Sequence, residues 1–180
     1  MLLVALGGTI DKDYPRLTKG YAFEFGAPAF ERILADVSPG FSFRVETPFQ
    51  KDSQEIDGGD REAVVRTVLA AVETRVVVTH GTDTMIETAA FLGACPQVRA
   101  AEKTIVLTGA MIPIAFGSSD GLFNLGGALT AVQVLPCGVY ITMNGRVFPW
   151  NNVRKNRQTG VFEAIEPDEP ILQAPVGPRP

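Results

Sequence analysis

Short unbroken apolar runs alternate along this chain with longer stretches in which apolar residues recur every three or four positions. The runs lie at residues 2–6, 41–47, 75–79, 103–108 and 138–143 and are rich in Val, Ile, Leu and Phe. Continuous apolar runs of that length are the pattern of strands covered on both faces, as in parallel sheets. Helical spacing appears at residues 30–37, 59–73, 84–94 and 123–135; in the second of these Val64, Val65, Val68, Leu69 and Val72 form one stripe. Strand and helix alternate, which predicts an α/β fold: a doubly wound, Rossmann- or flavodoxin-like, mostly parallel sheet with helices on both faces. Two segments break the rhythm. Residues 11–29 carry Pro15, Gly20, Gly26 and Pro28 among aromatics, too irregular for an ordinary connection, and read as a mobile lid over the first strand end. Residues 166–180 hold five prolines, Pro167, Pro170, Pro175, Pro178 and Pro180, and read as an extended tail. The expected organisation is one catalytic-sized domain over 1–165 followed by that tail.

Composition narrows the partners. With 180 residues, 46% apolar and 20% charged, the chain suits one soluble domain with a sizeable core. A formal net charge of -4 leaves no broad basic surface, so neither nucleic acid nor an anionic membrane is expected as the main partner. The apolar start at residues 1–6 lacks a basic lead and runs into Gly7-Gly8, a poor signal peptide, and no stretch is long enough to span a bilayer. Two cysteines, Cys95 and Cys137, make no disulfide framework; they read as inert thiols compatible with a cytoplasmic location.

The chemistry sits at two turns. Gly7-Gly8-Thr9-Ile10 follows the first apolar run and His80-Gly81-Thr82-Asp83-Thr84 follows the third. Ligands of open α/β sheets bind at the carboxyl ends of the strands, so two such turns offer two hydroxyls to one pocket. Neither turn has the spaced glycines of a dinucleotide loop or the Gly-Lys-Ser/Thr of a phosphate loop. His80 is the sole histidine, which excludes a multi-histidine metal site within the chain and reads as structural. No metal and no cofactor are expected. A threonine hydroxyl attacks only if a neighbouring base takes its proton, and a lysine can serve. Asp83 adjoins Thr82, and Lys155 lies just past the last predicted strand, although in the cluster Arg146, Arg154, Lys155, Arg157 composition alone reads it as solvated. Thr9 reads equally as a cap or a nucleophile. Thr84, with Glu87 three residues on, has capping-box spacing and reads as a helix cap. The start of that helix favours negative charge at Thr82 and Asp83.

Taken in order, Gly7-Gly8-Thr9-Ile10, Asp52-Ser53-Gln54, Thr79-His80-Gly81-Thr82-Asp83-Thr84, Gly109-Ala110-Met111-Ile112-Pro113 and Val153-Arg154-Lys155 resemble the amino-terminal domain of the bacterial-type L-asparaginases, across residues 2–165. The resemblance implies an amidohydrolase that converts L-asparagine to L-aspartate and ammonia. Thr9 would be the nucleophile, and Thr82, Asp83 and Lys155 a second catalytic group in which the lysine activates the threonine. A lid tyrosine, Tyr14 or Tyr21, would stand beside Thr9. Asp52, Ser53, Gln54, Thr82, Asp83 and Ala110 would bind substrate: Ser53 the α-carboxylate, Gln54 the α-substituents, Asp83 the α-ammonium, with amides near Thr82 or Gly109-Ala110 as oxyanion donors. Better-known members carry a second, carboxy-terminal domain, so the chain resembles the short members, and a homodimer or higher homo-oligomer is expected. Two other readings stay open: the same chemistry on glutamine or a tRNA-bound amide, against which the acidic balance counts in the tRNA case, and an amino-acid sensor that kept the pocket without turnover.

Overall fold

The computed structural model describes residues 1–14 and 23–167. In chain order its strands and helices are β1 (Leu2–Ala5), β2 (Lys12–Asp13), β3 (Glu24–Phe25), α1 (Ala29–Asp36), β4 (Arg44–Glu46), α2 (Gly58–Ala70), β5 (Arg75–Thr79), α3 (Met85–Ala94), α4 (Pro96–Ala100), β6 (Thr104–Thr108), α5 (Gly121–Val134), β7 (Gly138–Met143), β8 (Arg146–Pro149), β9 (Arg154–Lys155) and β10 (Phe162–Glu163). Six strands form one sheet in the order β4-β1-β5-β6-β7-β8. The first five are parallel and β8 runs antiparallel to β7, with Tyr140 opposite Pro149 and Met143 opposite Arg146.

Alternation along the strands divides the core in two. Leu2, Val4, Val76, Val78, Ile105, Leu107 and Ile141 face α2, α3 and α4. Leu3, Ala5, Val77, Val106 and Tyr140 face Phe30 and Leu34 of α1 and Leu125, Ala128, Leu129 and Val132 of α5. Both sides of each central strand are therefore apolar, which is why those segments read as unbroken runs. The chain goes from β1 to β4 on one side and then crosses back to β5 on the other, so the topological switch point lies between β1 and β5. Both Gly-Thr turns leave the sheet there.

The structure corrects several boundaries. The run at 41–47 pairs only over Arg44–Glu46. The helix expected to reach residue 73 stops at Ala70, and Val72 is exposed rather than part of the buried stripe. The cause lies thirty residues on: the buried Lys103 ammonium donates to the Ala71 and Glu73 carbonyls, each at 2.6 Å, and takes up the oxygens with which the chain leaves the helix. At its other end α2 carries a capping box, Asp57 with Asp60, that the periodicity did not announce. Of the segment read as a lid, both stems are described: Lys12 pairs with Phe25 and Asp13 with Glu24 in a short antiparallel ladder. Residues 15–22, including Tyr21, and the tail from 168 onward lie outside the described residues. No helix among the described residues is long and apolar enough to cross a membrane. Cys95 and Cys137 are free thiols.

Candidate active site

The two turns touch through bare backbone. Gly7 and Gly8 have φ of +92° and +77°, values that disfavour any side chain. A Cβ on Gly8 would fall on the Gly81 amide nitrogen and Cα. A Cβ on Gly81 would stand 2.6 Å from Ser53 Cβ and 2.7 Å from Ser53 Oγ. Three segments distant in sequence thus meet because two of them lack side chains at the crossing. Backbone bonds close the contact: Gly8 N–H donates to Lys51 O at 3.0 Å, Lys51 N–H to Leu6 O at 3.1 Å, and Leu6 N–H to Thr79 O at 3.1 Å.

Thr9 opens a 3-10 turn, Thr9–Asp11, directly after β1. Ser53, buried, opens another, Ser53–Glu55, where Asp52 caps the turn by accepting the Gln54 amide. The Asp52 carboxylate is held below the ordinary carboxylate range chiefly by Lys12, whose ammonium lies 2.6 Å from Oδ2.

Lys155 completes the constellation. Its Nζ donates to Thr82 Oγ1 at 2.9 Å and to Asp83 Oδ1 at 2.8 Å, and Gln54 Nε2 donates to Asp83 Oδ2 at 2.9 Å. The Lys155 side chain is only 14% exposed, so the solvated reading suggested by its basic neighbours is corrected. A two-strand hairpin does this: Lys155 pairs with Phe162 across β9 and β10, and Phe162 is buried in the main core. Anchoring that phenylalanine turns the lysine inward, while Arg154 on the alternate side pairs with Glu163 at the surface. The two bonds to Asp83, from Lys155 first and Gln54 second, hold its carboxylate below the usual range.

Other expectations fare differently. Ala110 is fully buried and packs with Ile10 and Ala29 beneath the Thr9 turn. Tyr14 is exposed and its ring packs against Phe116 and Phe23, with centroids 5.0 Å and 6.0 Å away; among the described residues no hydrogen bond joins it to Thr9. Thr84 does precede α3, but its hydroxyl makes no cap bond and instead donates to Ser53 O at 2.5 Å, tying the second turn to the third segment. Sequence reading missed Asp120 and Asn124. The Asp120 carboxylate accepts the amides of Met111 and Ile112, and Asn124 Nδ2 donates to Gly109 O at 3.1 Å, so the loop after β6 is held from behind by the start of α5.

His80 is structural, as expected. It is buried, with Nδ1 bonded to Gly81 O and Nε2 to Thr88 Oγ1, both at 2.8 Å. A carbonyl can only accept, so Nδ1 carries the proton and Nε2 accepts from Thr88, whose oxygen in turn accepts from Arg61 Nε at 3.2 Å. Burial pushes the imidazole pKa down to about 4. A lowered folded-state value means that its contribution to stability is present above the ordinary value of 6.5 and is lost as pH falls through about 4. Replacing His80 with glutamine should remove that acid-side loss, read as a urea midpoint that depends less on pH between about 4 and 6.5.

Comparison with known proteins supplies the family. Residues 1–174 match the family model described as asparaginase, N-terminal. The chain belongs to the asparaginase family. It is 28% identical over 176 residues to the glutaminase-asparaginase of Pseudomonas fluorescens biotype A, a match covering 91% of this chain and 48% of that protein. The solved thermostable L-asparaginase from Thermococcus kodakarensis superposes with a TM-score of 0.70 at 27% identity, over 91% of this chain and 50% of that one. A probable cytoplasmic L-asparaginase from Campylobacter jejuni gives a TM-score of 0.70 at 28% identity, over 86% and 48%. The asparaginase-family chain thus spans about half the length of these relatives.

Proposed function

We propose that this asparaginase-family chain hydrolyses the side-chain amide of L-asparagine to L-aspartate and ammonia, with Thr9 as nucleophile. The observation that carries the reading is the Lys155 ammonium bonded to both Thr82 and Asp83, on a turn in direct backbone contact with the turn of Thr9. Thr9 Oγ attacks the amide carbon, the proton of its hydroxyl passes to the leaving nitrogen, the C–N bond breaks to release ammonia, and a β-acyl ester remains on Thr9. Water then attacks that ester beside the Thr82–Lys155 pair, its proton passing to Thr9 Oγ as the ester C–O bond breaks, and L-aspartate and the free threonine are released. In this reading, backbone amides near Thr82 and Gly109-Ala110 would donate to the developing oxyanion. An amino-acid substrate brings charges of both signs; Asp83 offers an anion for its ammonium, and Ser53 a donor for its carboxylate. Asp52 and Gln54 hold these two groups in place.

Glutamine is the second reading, favoured by the glutaminase-asparaginase relative, since one extra methylene costs or gains only about 1–3 kcal/mol in a pocket. Direct attack by water activated beside Thr82 is the competing route. Residues 1–165 form the catalytic unit in this reading, and a reducing cytoplasm suits its free thiols. Homo-oligomer formation is supported by the exposure of Leu122, Phe123 and Val134 along α5.

The test is ammonia release from L-asparagine and from L-glutamine without added metal, for the parent and for Thr9→Ala. Release from asparagine that Thr9→Ala abolishes, in a protein with unchanged circular dichroism, is the expected result. Undiminished release in the variant would sink the nucleophile assignment. No release from either amide by a folded parent that still binds an amino acid would favour the sensor reading.

A further inference from the structure

Asp11 ends the 3-10 turn that Thr9 opens, and it is fully buried. Carboxylates go under only where something receives them. Here the receiver is α1. The first amides of a helix need acceptors, and the residue before α1 is Pro28, whose ring has none to give. Asp11 Oδ1 takes the Ala29 N–H at 2.7 Å in its place, and the Asp11 carbonyl takes the Gly26 N–H at 2.8 Å. Ile10, Ala29 and Ala110 pack around the junction. The second carboxyl oxygen, Oδ2, is buried without a hydrogen-bond partner among the described residues.

We propose that Asp11 is a positioning residue for Thr9: its buried carboxyl fastens the turn that carries the nucleophile to the start of α1. The inference rests on the reading of Thr9 as nucleophile. Asp11 itself, with no exposed surface, does not touch substrate. It acts through Ile10, two peptide units from the attacking oxygen. The sheet holds the turn from the Gly8 side, through the bond to Lys51; on the other side, where backbone bonds to Gly26 and the β2–β3 ladder follow, the Asp11 carboxyl adds a buried tie to the first amide of α1.

The protonation of this clasp is set by its surroundings. Burial pushes the Asp11 pKa up to about 7, outweighing the amides of Ala29 and Gly7 and the charge of Arg32, all of which favour the anion. The charged groups on the neighbouring elements are Arg32 on α1, which pairs with Asp13 at 3.5 Å, Lys12 on β2, which pairs with Asp52, and Glu24 on β3. A raised folded-state value means that the contribution of Asp11 to stability is full below the ordinary 3.8 and is lost as pH rises through about 7. That is opposite in sign to His80.

The test compares steady-state kinetics on L-asparagine and urea midpoints for the parent, Thr9→Ala, Asp11→Ala and Asp11→Asn. Asp11→Ala should lower kcat by about 10–100-fold and leave KM within about twofold, because a displaced nucleophile weakens the reaction step more than substrate binding. Asn keeps an oxygen for the Ala29 amide, so Asp11→Asn should recover most of that loss. Its urea midpoint should also lack the fall that Asp11 gives the parent between about pH 4 and 7. Parent-like kcat in a folded Asp11→Ala, or an Asp11→Asn as damaged as Asp11→Ala, overturns the inference. Turnover retained by Thr9→Ala would overturn the nucleophile reading and this one with it. Turnover lost in Thr9→Ala but kept in Asp11→Ala overturns this one alone.

Discussion

Lys155→Met should leave the fold in place and cut ammonia release by about 10²–10⁴-fold, the range that a positioned proton-transfer group supplies. Methionine matches the length and the apolar stem of lysine, and the hairpin that aims the side chain is held by Phe162 in the core and by the Asn144 carbonyl oxygen, Oδ1, on the Phe162 amide at 2.9 Å. What disappears is the nitrogen that touches Thr82 and Asp83. Asp83 then loses the first of the two bonds that hold its carboxylate low, keeping only Gln54, and its pKa should return toward the ordinary 3.8. A lowered carboxylate stays anionic to more acid pH, so the variant should show its rise in KM at a higher pH than the parent does. Both effects are read from kcat and KM profiles between about pH 3 and 8. A variant with parent-like kcat would show that Lys155 only orders the turn.

Gly8→Ala should be severely damaging for so small a substitution. The new methyl meets two faults together: φ of +77°, and a path blocked by the Gly81 backbone rather than by a side chain able to rotate away. Backbone strain and overpacking each cost on the order of 1–3 kcal/mol, a large share of the roughly 5–15 kcal/mol that holds a domain folded. The expected outcome is a urea midpoint lowered by that sum and, on the proposed function, loss of turnover even in the folded fraction, since the two Gly-Thr turns must separate. Gly58→Ala is the control. It lies at the start of α2 with nothing within 4 Å of the added carbon, and should be neutral or gain about 0.4–1 kcal/mol. Equal midpoints for the two variants would refute the account of the Gly8–Gly81 crossing.

The central sheet was legible because its physics is local. A strand covered on both faces must be apolar at every position, and residues 75–79 or 138–143 permit little else. The edge was harder. β8 reads Arg146-Val147-Phe148-Pro149, with a charge and a proline in a segment that only an edge tolerates, and it turns back against β7 instead of following another helix. Distant partners erased local signals elsewhere: Lys103 ends α2 where the valine stripe continues, and Ser53 draws the Thr84 hydroxyl from the cap that its spacing promised. In the candidate site, Thr9, Ser53, Gln54, Thr82, Asp83 and Lys155 were named from motif order, whereas composition placed Lys155 in solvent. Asp11 was taken for part of a lid, because a charged residue in a Pro- and Gly-rich stretch carries no mark of burial. Asp120 and Asn124, which brace the loop after β6, give no sequence signal beyond their polarity.

The glycine crossing also decides where the candidate site can be remodelled. With Gly8 and Gly81 in backbone contact, the distance between the two hydroxyl-bearing turns is a hard dimension, and a side chain added there can lengthen it only at the strain expected of Gly8→Ala. Room for a longer amide, or a grip on a different head group, has to come from the parts that arrive from outside: the turn from Asp52 to Gln54, the hairpin bearing Lys155, and the stem around Lys12. On the proposed function, the crossing is a fixed floor, and substrate preference is set by the parts around it.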